Sequence, residues 1–330
     1  MADPRLTVVI PTYNSSSFLR TCVRGLLSHG IPDLQVIVVD DGSTDDTQGV
    51  VRSFGDPVHY IRQANAGPGV ARNTGLAACR TPFVMFLDSD DSWLPGGPER
   101  LLAVLGRYPD VPAAFGDAQC GNDTDGYVSF IQTYTCQPFT ELYRSTPEPG
   151  VATIDGHKMF RQLLQRNVIF TGSVCWRRDA IQRLGGFGGT KSFGSEDWEL
   201  VMRASLQHDL LYCEQLDVAK YIKHSTAMTT NVDLMQRSYI GALEQLLLKA
   251  PLASEDRMLV EQAVAGHMNG SAYRAYDAGD LRTARQRYGE WLRRFGFNPK
   301  IAAFWMISFG PPSLVRTLRT MKRRVAGETT

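Results

Sequence analysis

The sequence predicts an α/β chain: a mostly parallel sheet sandwiched by helices, followed by an α-helical C-terminal region. Three observations carry this. Strand-like and helix-like stretches alternate through the first third of the chain. The strand-like runs are continuously rather than alternately apolar, which implies burial on both faces and so a parallel sheet. After about residue 232 strand signals stop and helical repeats of Leu, Ala and Met with Glu and Arg take over. The 330 residues, 43% hydrophobic, suffice for one large domain with an appendage or for two domains, and the expected division is 1–232 and 233–330.

Taken in order, "LTVVIP" is a β-branched run ending at Pro11, and "SSFLRTCVRGLLSHG" repeats apolar residues at helical spacing, with Ser15 to Ser17 as candidate caps and Gly30 as a stop. "LQVIVVDDGS" reads as a second buried strand. The helix after it has Ser43 or Thr44 as candidate cap and Asp45 and Asp46 at its positive end. "VHYIRQ" is a third strand, "GPGVARNTGLAACR" a third helix with Pro68 near its first position, and "PFVMFLD" a fourth strand. Further on, "GDAQCGNDTDGYVSFIQTYTCQPF" reads as a hairpin, and "TIDGHKMFRQLLQRNVIFTGSVCW" as a helix leading into a strand.

Three polar clusters fall at the carboxyl ends of strands, where open α/β sheets bind ligands: "PTYN" after the first, "DDGS" after the second, "DSDD" after the fourth. If the fourth strand runs on through Asp90, Asp88 and Asp90 share one side. Two carboxylates held together raise each other's pKa unless a cation intervenes, and a hard divalent ion, Mg²⁺ or Mn²⁺, characteristically joins such groups to substrate phosphates. An Asp-rich turn could instead cap the helix in "PGGPERLLAVLGRY"; that role is assigned to Asp91 or Ser92, and the metal to Asp88 and Asp90.

In this order and spacing, "VVIPTYNSSSFL", "VIVVDDGSTDDT", "NAGPGVARNTGL" and "FLDSDD" resemble the family-two glycosyltransferases, inverting enzymes with the GT-A fold, over about residues 5–225. The resemblance implies a nucleotide-sugar-binding half, 1–116, and an acceptor and catalytic-base half, 117–232. It implies that Tyr13, with Pro11 and Thr12, lies against the base of a nucleotide donor, a UDP-sugar by expectation. Asp40 or Asp41, with Asp41 favoured, would accept from the base N–H, and Arg72 would contact base or phosphates. Asp88 and Ser89 would meet the ribose or the metal shell and Asp90 the metal, with His224 of "YIKH" completing the metal or diphosphate site. Asp197 of "SEDW" would be the catalytic base, with Glu196 beside it.

Each has a plainer reading: a half-buried aromatic for Tyr13, an ion-pair partner for Arg72, first-turn helix acids for Glu196 and Asp197, a structural histidine for His224. Trp176, Phe187, Phe193 and Trp198 are candidate walls for a sugar acceptor, with core packing expected for at least half of them. The chain lacks the Q-x-x-R-W sequence and spanning helices of processive synthases, so non-processive transfer to a glycan, glycolipid or small molecule is expected. A non-catalytic nucleotide-sugar-binding or interaction module is the alternative. A dinucleotide-dependent oxidoreductase is disfavoured because "GPGVAR" opens the third helix and lacks G-x-G-x-x-G.

The formal net charge of +1 gives no reason to expect nucleic acid as partner. Charge is local instead: Arg282–Arg324 carries eleven Lys or Arg against one acid, Glu290. "PPSLVRTLRTMKRRV" puts Leu314, Val315, Leu318, Met321 and Val325 on one helical face among basic groups, a pattern suited to an anionic membrane surface or to packing on the domain. "YRAYDAGDLRTARQRYGEWLRRF" resembles a tetratricopeptide-like helix pair. Six scattered cysteines, no C-x-x-C and no visible signal peptide predict a cytoplasmic setting, at the inner membrane face if the tail binds lipid.

Overall fold

The run Leu6–Thr12 forms β1, buried at every position, and the sheet extends from it in both directions. The computed structural model describes residues 6–32, 34–135, 137–188 and 194–310. Chain contacts separate two units, Met1–Asn231 and Val232–Thr330.

In the first unit β1 leads through α1 (Ser16–Ser28), β2 (Leu34–Asp40), α2 (Thr47–Arg52), β3 (Val58–Arg62) and α3 (Pro68–Ala78) to β4 (Phe83–Phe86). Then come β5 (Ser92–Trp93), α4 (Gly97–Arg107), β6 (Ala113–Asn122), β7 (Gly126–Ser129), α5 (Phe130–Tyr134), β8 (Tyr143–Glu148), β9 (Val151–Ile154) and α6 (Gly156–Gln165). β10 (Val174–Arg177), α7 (Arg178–Arg183), α8 (Glu196–Ser205) and β11 (Leu210–Ile222) complete it. The strands lie in the order β3-β2-β1-β4-β10-β6-β11-β9-β8, with β5 on β11 and β7 on β6. β3, β2, β1 and β4 are mutually parallel, β10 is antiparallel to both its neighbours, and β6 and β11 are again parallel. The order reverses between β1 and β4, and such a switch point opens a crevice beyond the strand ends.

Helices cover the sheet because their apolar faces match it. Leu19, Cys22, Val23 and Leu26 of α1 and Leu101, Val104 and Leu105 of α4 share one core with Leu6, Val8 and Ile10 of β1. Close approach is set by glycines: a Cβ on Gly75 of α3 would lie 2.3 Å from Val9 Cγ1, and one on Gly97 of α4 would lie 2.7 Å from the Val218 Cα.

The structure corrects several local expectations. β4 stops at Phe86; Leu87 N–H donates to Val9 O, and Asp91 N–H closes a turn onto Asp88 O, so the acidic run is a turn and not a strand end. Asp91 and Ser92 do not cap a helix. Asp91 is buried and accepts from Ile222 N–H at 3.0 Å, while Ser92 pairs with Lys220 in the short β5–β11 ladder. α4 begins only at Gly97, after Gly96 in the left-handed region. Ser43 and Thr44 do not cap α2; Asp45 accepts from Thr47 N–H instead. The five described cysteines are free and buried.

The second unit comprises α9 (Val232–Lys249), α10 (Ser254–Ala278), α11 (Leu281–Phe295) and α12 (Pro299–Ile307). Its aromatic core joins Tyr276 and Tyr288 to Phe304. Gly279 turns the chain from α10 into α11, where the Asp280 side chain accepts from Thr283 N–H. A buried polar link crosses the bundle: Gln236 donates to His267 Nδ1 at 2.7 Å and accepts from Arg274. Among the described residues no helix is long and apolar enough to cross a membrane. The basic amphipathic stretch 311–325 lies outside the described residues.

Gly97→Ala is expected to lower unfolding free energy by about 1–3 kcal/mol, because the new methyl meets backbone that cannot turn aside. Gly25→Ala, whose Cβ meets nothing within 4 Å in α1, should raise it by about 0.5–1 kcal/mol. Urea unfolding of both variants checks the opposite signs. Burial, and then Arg274, lower the His267 pKa, so the fold prefers the neutral ring. Stability conferred by neutral His267 is present above about pH 6.5 and is lost as pH falls through its lowered folded value. His267→Gln should flatten that acid-side slope in pH-resolved thermal unfolding.

Candidate active site

Beyond the ends of β1 and β4 lies a cleft of about 720 Å³, bounded by the loops after β1, β2 and β4, the start of α3, and the segment after β11. Pro11, Thr12, Tyr13, Asp41, Arg72, Asp88, Ser89, Asp90 and His224 all line it. Tyr13 stands half exposed at its mouth, and the buried Thr12 hydroxyl has no hydrogen-bond partner. Asn14, at φ 50°, locks the first loop to the second: its N–H donates to Ser43 Oγ and its side-chain oxygen accepts from Thr44 N–H.

The two aspartates of "DDGS" separate. Asp40 is buried away from the cleft, where its carboxylate accepts from Ser43 N–H and the Tyr60 hydroxyl. Asp41 lines the cleft and accepts from Gln63 Nε2, Ala66 N–H and Gly67 N–H at 2.7–2.9 Å, so it also pins the loop leading to α3. Of the pair expected at the base, Asp41 is the one within reach of a ligand.

Arg72 enters from the first turns of α3 and is 4% exposed. One guanidinium nitrogen donates to Asp88, the other to Glu196, and its face lies 5.5 Å from the Phe187 ring. Burial opposes its charge, but Asp88, Glu196 and Asp197 together hold its pKa above the usual value. Glu196 opens α8 and is 2% exposed; one oxygen takes Arg72 and the other accepts from Gly194 and Ser195 N–H. Both of its carboxylate oxygens are thus engaged by donors from this chain. Burial raises its pKa against the pull of Arg72.

Asp197, one residue on, is oriented by two donors, the Thr171 hydroxyl and Trp198 N–H. It lines a separate small cavity with Ile169, Trp176 and Phe187, away from the lining of the large cleft. Trp176, Phe187 and Trp198 are all buried, as expected of core packing, and the first two line the small cavity beside Asp197; Phe193 lies outside the described residues. α8 itself is anchored by Arg203, which pairs with Glu199 and donates to the carbonyls of Leu184 and Gly186.

At the other end of the cleft, Asp90 Oδ2 and His224 Nε2 lie 2.8 Å apart, although 134 positions separate them. His224 Nδ1 is 2.8 Å from the Thr226 hydroxyl, and its ring stacks on Phe18 at 4.9 Å. The Asp91–Ile222 bond brings the end of β11 to the acidic turn and so delivers His224. Lys223 does not line the cleft.

Sequence reasoning missed Phe18, Asn65, Tyr221 and the segment Thr226–Thr229, which also line the cleft. Phe18 follows "PTYN" and Asn65 sits in "NAGPG", both inside recognised stretches. Nothing local marks residues 226–229; only the pairing of β11 beside the acidic turn puts them there.

The family model described as "Glycosyl transferase family 2" matches residues 7–169. The uncharacterized glycosyltransferase YibD of Escherichia coli (strain K12) is 35% identical over 274 residues, covering 78% of this chain and 74% of that one. Two other curated relatives, 29% and 33% identical, are matched over only 48% and 19% of their own lengths. Among solved structures, S. aureus TarS 1-349 in complex with UDP-GlcNAc superposes with a TM-score of 0.64 at 16% identity over 98% of this chain and 92% of that one. The mannosyltransferase PcManGT from Pyrobaculum calidifontis, in complex with GDP-Man and Mn²⁺, gives 0.55 at 17% over 97% and 84%. At such identities these likenesses are of fold, and the fold is GT-A. With the family model lying across the cleft-forming half and a relative matched along three quarters of its length, the chain belongs to glycosyl transferase family 2.

Proposed function

We propose that the protein is a metal-dependent, inverting, non-processive glycosyltransferase that moves a sugar from a nucleoside diphosphate, UDP by preference, to a hydroxyl of a glycan, glycolipid or small molecule. The observation that carries this is the convergence of Tyr13, Asp41, Asp88, Asp90 and His224 on one cleft while Arg72 links its acidic turn to the helix bearing Asp197.

Tyr13 offers a face to the base and Asp41 accepts a base N–H, beside a buried Thr12 hydroxyl that has no hydrogen-bond partner. The donor set fits a divalent ion. Adjacent ligands at about 2.1 Å on an octahedral ion lie about 3 Å apart, close to the Asp90–His224 separation of 2.8 Å. Among the described residues no three such side chains converge, so the pair would depend on the donor's phosphates to complete the shell. Asp88 lines the same cleft and is held by Arg72, which leaves it for the ribose or the metal shell. A bound ion there would neutralise the departing diphosphate. PcManGT, solved with GDP-Man and Mn²⁺, supports a metal on this fold.

Asp197 takes the proton of the attacking hydroxyl, and its two donors orient it for that task. Glu196 is a positioning residue, since its oxygens are committed to Arg72 and the loop before α8. A single carboxylate base with a single displacement gives inversion at the anomeric carbon. The basic C-terminal region supports peripheral contact of a cytoplasmic protein with an anionic bilayer; Phe297, 84% exposed, lies between Arg293, Arg294 and Lys300 in the chain.

Thermal stabilisation by a panel of nucleotides with and without Mn²⁺ tests the donor site. UDP or GDP is expected to stabilise only with metal, and Asp90→Asn to abolish the metal-dependent part; no stabilisation by any nucleoside diphosphate would refute the reading. Asp197→Asn should lower turnover by about 10²–10⁴-fold while nucleotide affinity stays unchanged. Full function in that variant would favour a binding module instead.

A further inference from the structure

The end of β11 carries a second surface that the donor cleft does not use. Tyr221 lines the cleft, and its pairing partner Cys120 is paired in turn with Val128 of β7, so the three side chains share one face. Lys223, two residues beyond Tyr221, continues the ladder through its N–H to Gly121 O and stays on that face. Val128 is 57% exposed there.

Aromatic rings then lead across from the donor cleft towards the base. Tyr221 lies 5.5 Å from Phe170 and 6.2 Å from Phe130, and Phe130 lies 4.7 Å from Tyr134. Phe170 immediately precedes Thr171, whose hydroxyl holds Asp197. A molecule resting on this face is therefore bordered by the donor cleft on one side and by the support of the proposed base on the other.

Two cations border the face. Lys223 and Arg166, the latter at the end of α6, are both exposed, and neither forms an ion pair with another described residue. Both lie near enough to Tyr134 to pull its pKa down, against burial, which raises it. Phe130 and Phe170 are themselves buried, so the partly exposed Tyr134 and Tyr221 are the rings that can meet a sugar face. Long cations without an ion-pair partner beside these two rings and an exposed valine suit a sugar that carries an oxyanion: the rings meet the sugar face, and the cations meet phosphate or carboxylate.

We propose that this face, bearing Val128, Tyr134, Arg166 and Lys223 beside Tyr221, is the acceptor surface and selects an anionic glycan, one with a phosphate or carboxylate close to the hydroxyl that is glycosylated. It rests on the donor-cleft reading above and specifies the acceptor class that reading leaves open. Arg166 and Lys223 are specificity-determining residues that touch acceptor and not donor.

The test is calorimetric binding of maltohexaose, a 6-phosphorylated maltohexaose and an oligogalacturonate of equal length, to the full chain with UDP and Mn²⁺ at low ionic strength. At least one anionic probe should bind about tenfold more tightly than maltohexaose, the effect of two modest exposed charge contacts. A gain for the phosphorylated probe alone identifies phosphate, and a gain for the uronate alone identifies carboxylate. The double substitution Lys223→Glu with Arg166→Glu should abolish the preference. Lys223→Gln with Arg166→Gln should reduce it in a protein whose stabilisation by UDP and Mn²⁺ shows an intact donor cleft. Equal binding of all three probes, binding of none, or a preference that survives the charge reversal would overturn the inference while leaving the donor reading standing. Failure of the wild-type protein to bind either UDP or GDP with Mn²⁺ would overturn both.

Discussion

A single buried guanidinium organises the first unit. Arg72 sits at the junction of α3, the acidic turn after β4 and the N-terminus of α8, and binds one carboxylate from each of the latter two. Taking a guanidinium and a carboxylate such as Glu196 out of water is costly, and removal of one partner from a buried pair typically costs roughly 3–5 kcal/mol. That penalty ties three chain segments, 124 residues apart at the extremes, into one arrangement. Where Arg72 goes, Asp88 and the start of α8 must follow.

The surrounding packing exists to make that junction possible. A Cβ on Gly69 would lie 2.9 Å from Glu196 Cγ, so only glycine lets α3 and α8 approach this closely. Asn73, beside Arg72 in "ARN", exchanges two hydrogen bonds with the Phe187 backbone and holds that ring under the guanidinium. Phe187 in turn meets Phe86 edge to face at 4.6 Å, which fixes the segment before α8 to the last residue of β4. Charge, ring and glycine thus act on one point, and the proposed base inherits its position from them.

The far side of the cleft uses a different device. There the long β11, bulged between Tyr212 and Ala219, carries a histidine to the acidic turn, and the buried Asp91 holds the strand end in place. Burial, with Asp90 and Asp88 beside it, raises the Asp91 pKa well above the usual carboxylate range. The turn therefore contains carboxylates with separate duties: Asp88 for Arg72, Asp90 for His224, Asp91 for the backbone of β11. Crowding them into one turn is tolerable because each faces a different partner.

Much of this was legible in the residues. Continuous apolar runs state that β1, β2 and β4 are buried on both faces, and Pro68 after Gly67 marks the start of α3, because these are local consequences of side-chain polarity and backbone freedom. The polar clusters at strand ends likewise follow from a parallel sheet, so the cleft could be located before its shape was known. The resemblance favoured Asp41 and Asp197 within their pairs; what sequence could not show was which donors hold each neighbouring carboxylate. Asp40 against Asp41, Glu196 against Asp197, and the duty of Asp91 depend on hydrogen-bond donors brought from distant segments: Tyr60, Gly194, Ile222. Adjacent carboxylates have identical chemistry and differ only in what the fold sets against them. Sequence by itself determined the parallel first half of the sheet, its order of motifs and the inventory of chemical groups; tertiary structure alone placed the later strands and assigned each group its partner, because partnership is a property of distance in space and not of position along the chain.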